Sequence, residues 1–161
     1  GADFSDIGLL AIAPSVGAML LTPVTGRLFD LVVTRGADPL KARRIMQSLA
    51  FVGIALGLSV LGYIESVFWG VVVVTFSNTM TAFSIGGFAT NHLDIAPNQS
   101  GTLMGVTNTL GALASTVAIF ISGWVLDVTG SWALVFQLAA VVALTAGAVY
   151  WRFASVEREF D

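Results

Sequence analysis

Long stretches without charge dominate the pattern of apolar and polar positions along this chain of 161 residues. Five of them contain no Asp, Glu, Lys or Arg: residues 7–26, 45–64, 66–93, 95–126 and 128–151. About 20 predominantly apolar residues are enough for a helix to cross the hydrocarbon core of a bilayer. The pattern therefore predicts an all-α polytopic membrane protein with five transmembrane helices, near 7–31, 43–63, 67–90, 100–125 and 132–153.

Composition strengthens this prediction. Hydrophobic residues make up 56% of the chain and charged residues 11%, whereas soluble domains carry roughly 25% charged residues. A soluble helix bundle is the alternative, but its helices would need a polar stripe opposite the apolar one, and charge is absent from every face of the five stretches. The net charge of −3, with no basic patch, excludes nucleic acid as a partner. The lipid bilayer is the partner that the composition predicts.

The basic residues indicate an orientation. Five spans place alternate connections on opposite sides of the membrane. All seven Lys and Arg residues flank the first connection or follow the last helix: Arg27, Arg35, Lys41, Arg43, Arg44, Arg152 and Arg158. Because cytoplasmic connections are enriched in Lys and Arg, this distribution predicts that the first connection and the C-terminus are cytoplasmic.

Small and polar residues form stripes along two of the predicted helices. In the fourth helix Gly101, Gly105, Asn108, Ala112, Ser115 and Ser122 recur at helical spacing, and in the third helix Thr75, Asn78, Ala82, Gly86 and Ala89 do the same. Such stripes allow close packing between membrane helices. The other interpretation is that Asn78, Asn108 and Ser115 line a water-filled path.

Catalytic and metal-binding patterns are weak. His92 and Asp94 could form a general base with its orienting carboxylate, but no recognisable nucleophile motif accompanies them. One histidine and no cysteine cannot complete a conventional zinc site, and phosphate-binding glycine loops are absent from the sequence. We therefore expect neither an enzyme nor a bound metal or cofactor.

Several motifs carry a resemblance to a known family. The run Gly26-Arg27-Leu28-Phe29-Asp30, followed by Arg35-Gly36 and by residues 41–44, resembles the loop motif of the major facilitator superfamily. Residues 41–48 and 87–97, the latter containing Asn-His-x-Asp-Ile-Ala-Pro, resemble its anion:cation symporter branch, and residues 101–111 continue the likeness. That branch includes sialic acid transporters, vesicular glutamate transporters, sodium-dependent phosphate transporters and the phosphate transporters of plastids.

The resemblance implies a place in a larger transporter. Residues 1–161 would be a partial C-terminal bundle, with the five helices as the eighth to twelfth of twelve. The chain begins at Gly1 rather than at a methionine, and we expect an N-terminal half to be missing from it. Such transporters bind substrate between two halves and rock one half against the other.

The resemblance also assigns roles to residues. A cytoplasmic charge cluster that latches the two conformations would comprise Asp30, Arg35, Lys41, Arg43 and Arg44. The motif residues Asn91, His92, Asp94 and Pro97 would close the cytoplasmic end of the third helix. We expect a secondary transporter for organic anions or phosphate, coupled to sodium or protons. A sugar or drug transporter, and a non-transporting membrane scaffold or regulator, are the alternatives. The sequence does not distinguish between the plasma membrane, an endolysosomal or vesicular membrane and a plastid membrane.

Overall fold

A computed structural model describes the backbone of residues 4–159 and the side chains of residues 12–159. The described residues form helices without strands: α1 (Phe4–Thr34), α2 (Pro39–Leu61), α3 (Val67–Met80), a π-helical segment (Ile85–Ala89), α4 (Asn91–Ile95), α5 (Ser100–Thr129) and α6 (Trp132–Phe153). Five helical stretches in this part of the chain are long and apolar enough to cross a membrane, the third being Val67–Ile95. The predicted all-α architecture with five spans is confirmed.

Local chemistry explains where the helices begin and end. α2 begins at Pro39, four residues before the predicted start, because the Asp38 side chain accepts a hydrogen bond from the Lys41 N–H at 3.2 Å and proline is well suited to the first helical position. α5 continues to Thr129 and ends at Gly130, whose left-handed backbone (φ 63°) favours glycine.

The third span is not the single helix predicted for 67–90. α3 ends at Met80, a turn follows, and the helix resumes as the π segment and the short α4. Within the π segment Gly87 has φ −87° and ψ −109°, which interrupts the helical backbone. The prediction of continuity is wrong because the apolar pattern runs unbroken through the interruption.

α2 lies at the centre of the bundle and packs most extensively against α3 and α6. At Gly57 of α2 a Cβ atom would lie 3.1 Å from Ser77 Cβ, and at Gly147 of α6 it would lie 3.4 Å from Phe51. The pair Gly53 and Gly57 therefore provides the close helix contact expected of small residues in membrane helices. Gly101 and Gly105 meet nothing within 4 Å among the described residues.

One end of the bundle carries the basic residues, and we call it the basic end. Here α1 ends, α2 begins, the third span ends, α5 begins and α6 ends. Side chains tie these elements together: Thr25 of α1 is buried and donates to the Ala82 carbonyl at 2.8 Å. The segment after α6 folds back across this end, where the Glu159 N–H donates to the Ile95 carbonyl at 2.9 Å.

Candidate functional site

Arg43 forms a buried ion pair at the basic end. Its side chain is 6% exposed, and it projects from the second turn of α2 towards the end of the third span. Nε lies 2.6 Å from Asp94 Oδ2, and Nη2 lies 3.1 Å from Oδ1. This two-point geometry matches the planar guanidinium fork to the carboxylate and is among the stronger forms of ion pair.

The rest of the Arg43 guanidinium binds the interruption in the third span. Nη1 donates to the Gly86 carbonyl at 3.1 Å and to Thr90 Oγ1 at 2.5 Å. The ring of Phe29 in α1 lies 4.1 Å below the guanidinium carbon, a distance suited to a cation–π contact. One side chain from α2 therefore contacts α1, the π segment and α4.

Gln47 holds the same interruption one helical turn further along α2. It is 2% exposed; its Oε1 accepts the backbone N–H of Phe88 at 3.1 Å, and its Nε2 donates to Ser84 Oγ at 3.3 Å. A Cβ atom at Gly87 would lie 2.9 Å from Gln47 Cβ and 3.1 Å from its Cα. A glycine here lets the two backbones approach, and Gln47 replaces a hydrogen bond that the irregular helix does not make itself.

The residues predicted to form a cytoplasmic charge cluster do not all meet. Asp30, Arg35 and Lys41 are exposed, whereas Arg43 is buried and pairs with Asp94 rather than with Asp30. Arg44 is half-buried and donates from Nη2 to the Ala154 carbonyl at 3.1 Å, beyond the end of α6. The basic end thus has a buried part, built on Arg43, and an exposed part.

The motif at the end of the third span is buried. Asn91 is 8% and His92 7% exposed, and among the described residues Asn91 Oδ1 has no hydrogen-bond partner. His92 Nδ1 lies 3.1 Å from the Ala89 carbonyl, and Nε2 lies 3.1 Å from Thr107 Oγ1 of α5. Asp94 holds Arg43, and Pro97 stands half-buried in the turn that leads to α5.

The three residues predicted to line a path lie in two places. Asn78 donates from Nδ2 to the Pro14 carbonyl of α1 at 2.8 Å, so its amide joins two helices. Asn108 and Ser115 are exposed on α5, where the Ser115 hydroxyl donates to the Gly111 carbonyl of its own helix at 2.9 Å. Only the two residues of α5 present an open polar face.

Five cavities formed by the described residues have no charged side chain in their lining. The cavity of about 590 Å³ at the end opposite the basic end is mostly apolar, with Pro14, Trp132 and Phe136 among its lining residues. Among the described residues no group of three His, Cys, Asp or Glu side chains is placed to hold a metal ion. The polar side chains in these linings include the amide of Gln47 and the hydroxyl of Ser122.

Sequence reasoning did not find Gln47, Ser84, Thr90 or the Arg43–Asp94 pairing. The sequence does contain a pattern that indicates this site. Arg43 and Gln47 stand four residues apart in an apolar stretch, and Gly86 and Gly87 are adjacent. Residues four apart lie on one face of a helix. What that face meets depends on packing between segments more than 40 residues apart, as the separation of 51 residues between Arg43 and Asp94 illustrates.

Comparison with known proteins agrees with the motifs. The sequence profile of the Major Facilitator Superfamily matches residues 1–159. "Probable anion transporter 4, chloroplastic" of Oryza sativa subsp. japonica is 35% identical over 99% of this chain and 27% of its own length. "Ascorbate transporter, chloroplastic" of Arabidopsis thaliana is 33% identical over 99% and 29% of the two lengths.

A third relative is "Sodium-dependent phosphate transport protein 1, chloroplastic" of Arabidopsis thaliana, 34% identical over 96% of this chain and 30% of its own length. The chain thus spans less than a third of the length of these three relatives. Its five long apolar helices are those of an integral, multi-pass membrane protein. The chain belongs to the Major Facilitator Superfamily and matches its anion:cation symporter branch.

Proposed function

We propose that this chain is part of a secondary transporter that moves small organic anions or inorganic phosphate, coupled to sodium or protons, by alternating access. The observation that carries the proposal is the match of 159 residues to the superfamily together with relatives named as anion and phosphate transporters. On this proposal the five spans are the eighth to twelfth of twelve, and the first half and the seventh helix precede them.

The geometry of the basic end supports a role in the conformational cycle. Arg43 binds Asp94 and the interruption of the third span at the same time. Alternating access in such transporters is largely a rocking of one half against the other, and we infer that an exchange of these polar contacts accompanies it. We assign to Arg43 and Asp94 the closed form of the latch, and to exposed Asp30, Arg35 and Lys41 contacts with the other half.

The middle parts of the five spans carry no Asp, Glu, Lys or Arg, which favours different roles for the two halves. Charged residues inside a membrane usually mark the binding sites for ions and charged substrates. Before Asp127 near its end, α5 exposes neutral polar groups such as the Asn108 amide and the Ser115 hydroxyl. We therefore infer that the charges which bind the anion belong to the preceding half, and that α5 completes the site with neutral hydrogen-bonding groups.

The proposed orientation places the basic end and the C-terminus in the cytoplasm. It is tested at Asn98, which begins the glycosylation acceptor Asn98-Gln99-Ser100 and is exposed in the turn before α5. In a eukaryotic host the complete transporter should carry no glycan there. A mobility shift that is sensitive to endoglycosidase and lost in Asn98→Gln would reverse the orientation.

Uptake into proteoliposomes tests the function. The complete transporter should accumulate labelled phosphate or ascorbate when a sodium or proton gradient is imposed. An ionophore that collapses whichever of the two gradients drives uptake should abolish it. The 161-residue chain alone should show none, because the proposed preceding half is not part of it. Saturable uptake of glucose or a cationic drug in place of anions would indicate the sugar or drug alternative, and a complete protein that transports none of these would support a scaffold.

A further inference from the structure

α5 contacts α4 at the basic end and α6 at its other end. Of its thirty residues, all described by the structure, Val125 is the one that is buried against the described helices. Val125 stands close to the end of α5 that adjoins α6, whereas Asn108 lies towards the basic end. The contact with α4 therefore bears on the rotation of the part of α5 that carries Asn108.

A hydrogen bond from the third span provides such a contact. His92 Nε2 lies 3.1 Å from Thr107 Oγ1, so this hydroxyl has a partner outside α5 in addition to the Met104 carbonyl of its own helix. The hydroxyls of Thr109, Ser115 and Thr116 bond to carbonyls of α5. His92 itself is 7% exposed and its ring is placed edge-on to Phe88, with centroids 5.8 Å apart. The imidazole is therefore a fixed point against which α5 can be held.

The two ring nitrogens of His92 join the end of the third span to α5. Nδ1 lies 3.1 Å from the Ala89 carbonyl of the π segment, and Nε2 lies 3.1 Å from Thr107 Oγ1. The Thr107 hydroxyl also lies 3.1 Å from the Met104 carbonyl of its own helix. We call the contact between His92 and Thr107 the tether.

The position of Thr107 connects this tether to the open polar face. Successive residues of a helix are about 100° apart, so holding Thr107 against α4 fixes where the next residue, Asn108, points. Ser115 follows Asn108 by seven residues, close to two turns, and lies on the same face. The rotation set at Thr107 is therefore transmitted to both polar groups.

We propose that His92 is a positioning residue: through Thr107 it sets the rotation of α5 and keeps Asn108 and Ser115 directed at the substrate path. This inference rests on the proposed transport function, because it needs a path for α5 to face. It assigns the buried histidine a role distinct from the latch, since His92 contacts α5 whereas Arg43 and Asp94 join α2 to the third span.

Cysteine labelling tests the tether without requiring transport. This chain contributes no cysteine, so Asn108→Cys in a complete transporter otherwise free of cysteine gives one reactive site. With the tether intact, a water-soluble maleimide should label position 108. Thr107→Val should change the labelling rate about fivefold, the factor that one ordinary hydrogen bond is worth, and Thr107→Ser should restore it. No labelling with the tether intact would overturn the inference.

A matched control lies two residues away. Thr109→Val removes the same hydroxyl from the same helix, but Thr109 bonds only within α5 at 2.9 Å to the Gly105 carbonyl, and it should leave the rate unchanged. An equal effect of both valine variants would overturn the proposal. If Thr107→Val does not fold, His92→Phe keeps an aromatic ring beside Phe88 but offers no nitrogen to Thr107, and it should change the labelling rate in the same direction.

Uptake kinetics separate this inference from the proposed function. Thr107→Val should raise the KM for the anion with little change in maximal rate, and Thr107→Ser should restore the KM. Anion uptake with unchanged labelling would leave the transporter assignment standing and remove the tether. If labelling changes as expected but no anion is taken up, the tether stands and the transporter assignment falls. The orientation of α5 would then depend on His92 in a protein that does not transport.

Discussion

The guanidinium of Arg43 meets the carboxylate of Asp94 through two parallel hydrogen bonds, Nε to Oδ2 at 2.6 Å and Nη2 to Oδ1 at 3.1 Å. The two side chains are 6% and 27% exposed, so the pair is largely withdrawn from water. An ion pair in this setting gives little net stability over an apolar substitute, but losing one partner leaves a costly unpaired charge. Its value is in fixing the arrangement of α2 and α4.

Asp94→Asn should lower the free energy of unfolding by about 3 kcal/mol, because it leaves the Arg43 charge buried without a counter-ion. Thermal denaturation in detergent measures the effect. Arg43→Lys should also be destabilising, since an ammonium group cannot reproduce the two-point contact. Lys41→Gln is the control, because Lys41 is exposed and two residues away in the same helix. Equal stability of Asp94→Asn and Lys41→Gln would show that the pair has no structural role.

Gly87→Ala should lower the free energy of unfolding by about 1–3 kcal/mol, because the added methyl group meets Gln47, whose Cα would lie 3.1 Å from it. Gly105→Ala is the matched control: among the described residues nothing lies within 4 Å of that position, and alanine favours a helix by about 0.5–1 kcal/mol over glycine. The two variants should move the melting temperature in opposite directions. A shift of the same sign and size in both would contradict the close approach at Gly87.

Asp30→Asn in the complete transporter should reduce turnover more than substrate affinity and leave stability unchanged. Asp30 is exposed, and among the described residues the one ion pair is that of Arg43 with Asp94. A role for Asp30 therefore depends on contacts with the other half, made and broken during the cycle. Initial rates of uptake against substrate concentration give the two parameters. Glu65→Gln, exposed in the turn before α3, is the control, and turnover equal to that of the control would remove Asp30 from the latch.

Asn78→Ala and Asn108→Ala should have contrasting effects. Asn78 donates to the Pro14 carbonyl at 2.8 Å, so removal of its amide should cost about 1 kcal/mol of stability. Asn108 is exposed, and its replacement should leave the melting temperature unchanged while it raises the KM for the anion. Melting curves and uptake kinetics on both variants measure this. A loss of stability in Asn108→Ala without a change in KM would instead indicate that Asn108 packs against another helix.

Much of the architecture could be predicted because bilayers impose it. A span needs a long apolar stretch, and the sparse charges mark where such stretches end. The interruption of the third span escaped prediction because Gly86 and Gly87 are as compatible with apolar patterning as any other small residues. Helical periodicity describes one segment at a time, and the interruption is stabilised by Arg43 and Gln47 from another segment.

The candidate site was predicted in part: Arg43 and Asp94 were named, whereas their pairing and the residues Gln47, Ser84 and Thr90 were not. Arg43 and Asp94 were each placed at the basic end, yet in different groups, because their sequence separation gives no indication of contact. Arg43 is also one of seven basic residues that serve equally well to set topology. Only packing distinguishes the buried arginine from its exposed neighbours, and packing between α2 and the third span is a property of the folded bundle.

The turn at Gly130 limits how α5 can move. Two residues, Gly130 and Ser131, separate the last residue of α5 from the first of α6. Three Cα–Cα steps of 3.8 Å allow those ends to part by no more than about 11 Å. Apart from rotation about its own axis, a displacement of α5 relative to α6 is therefore a swing about that turn, small near Gly130 and largest at the basic end.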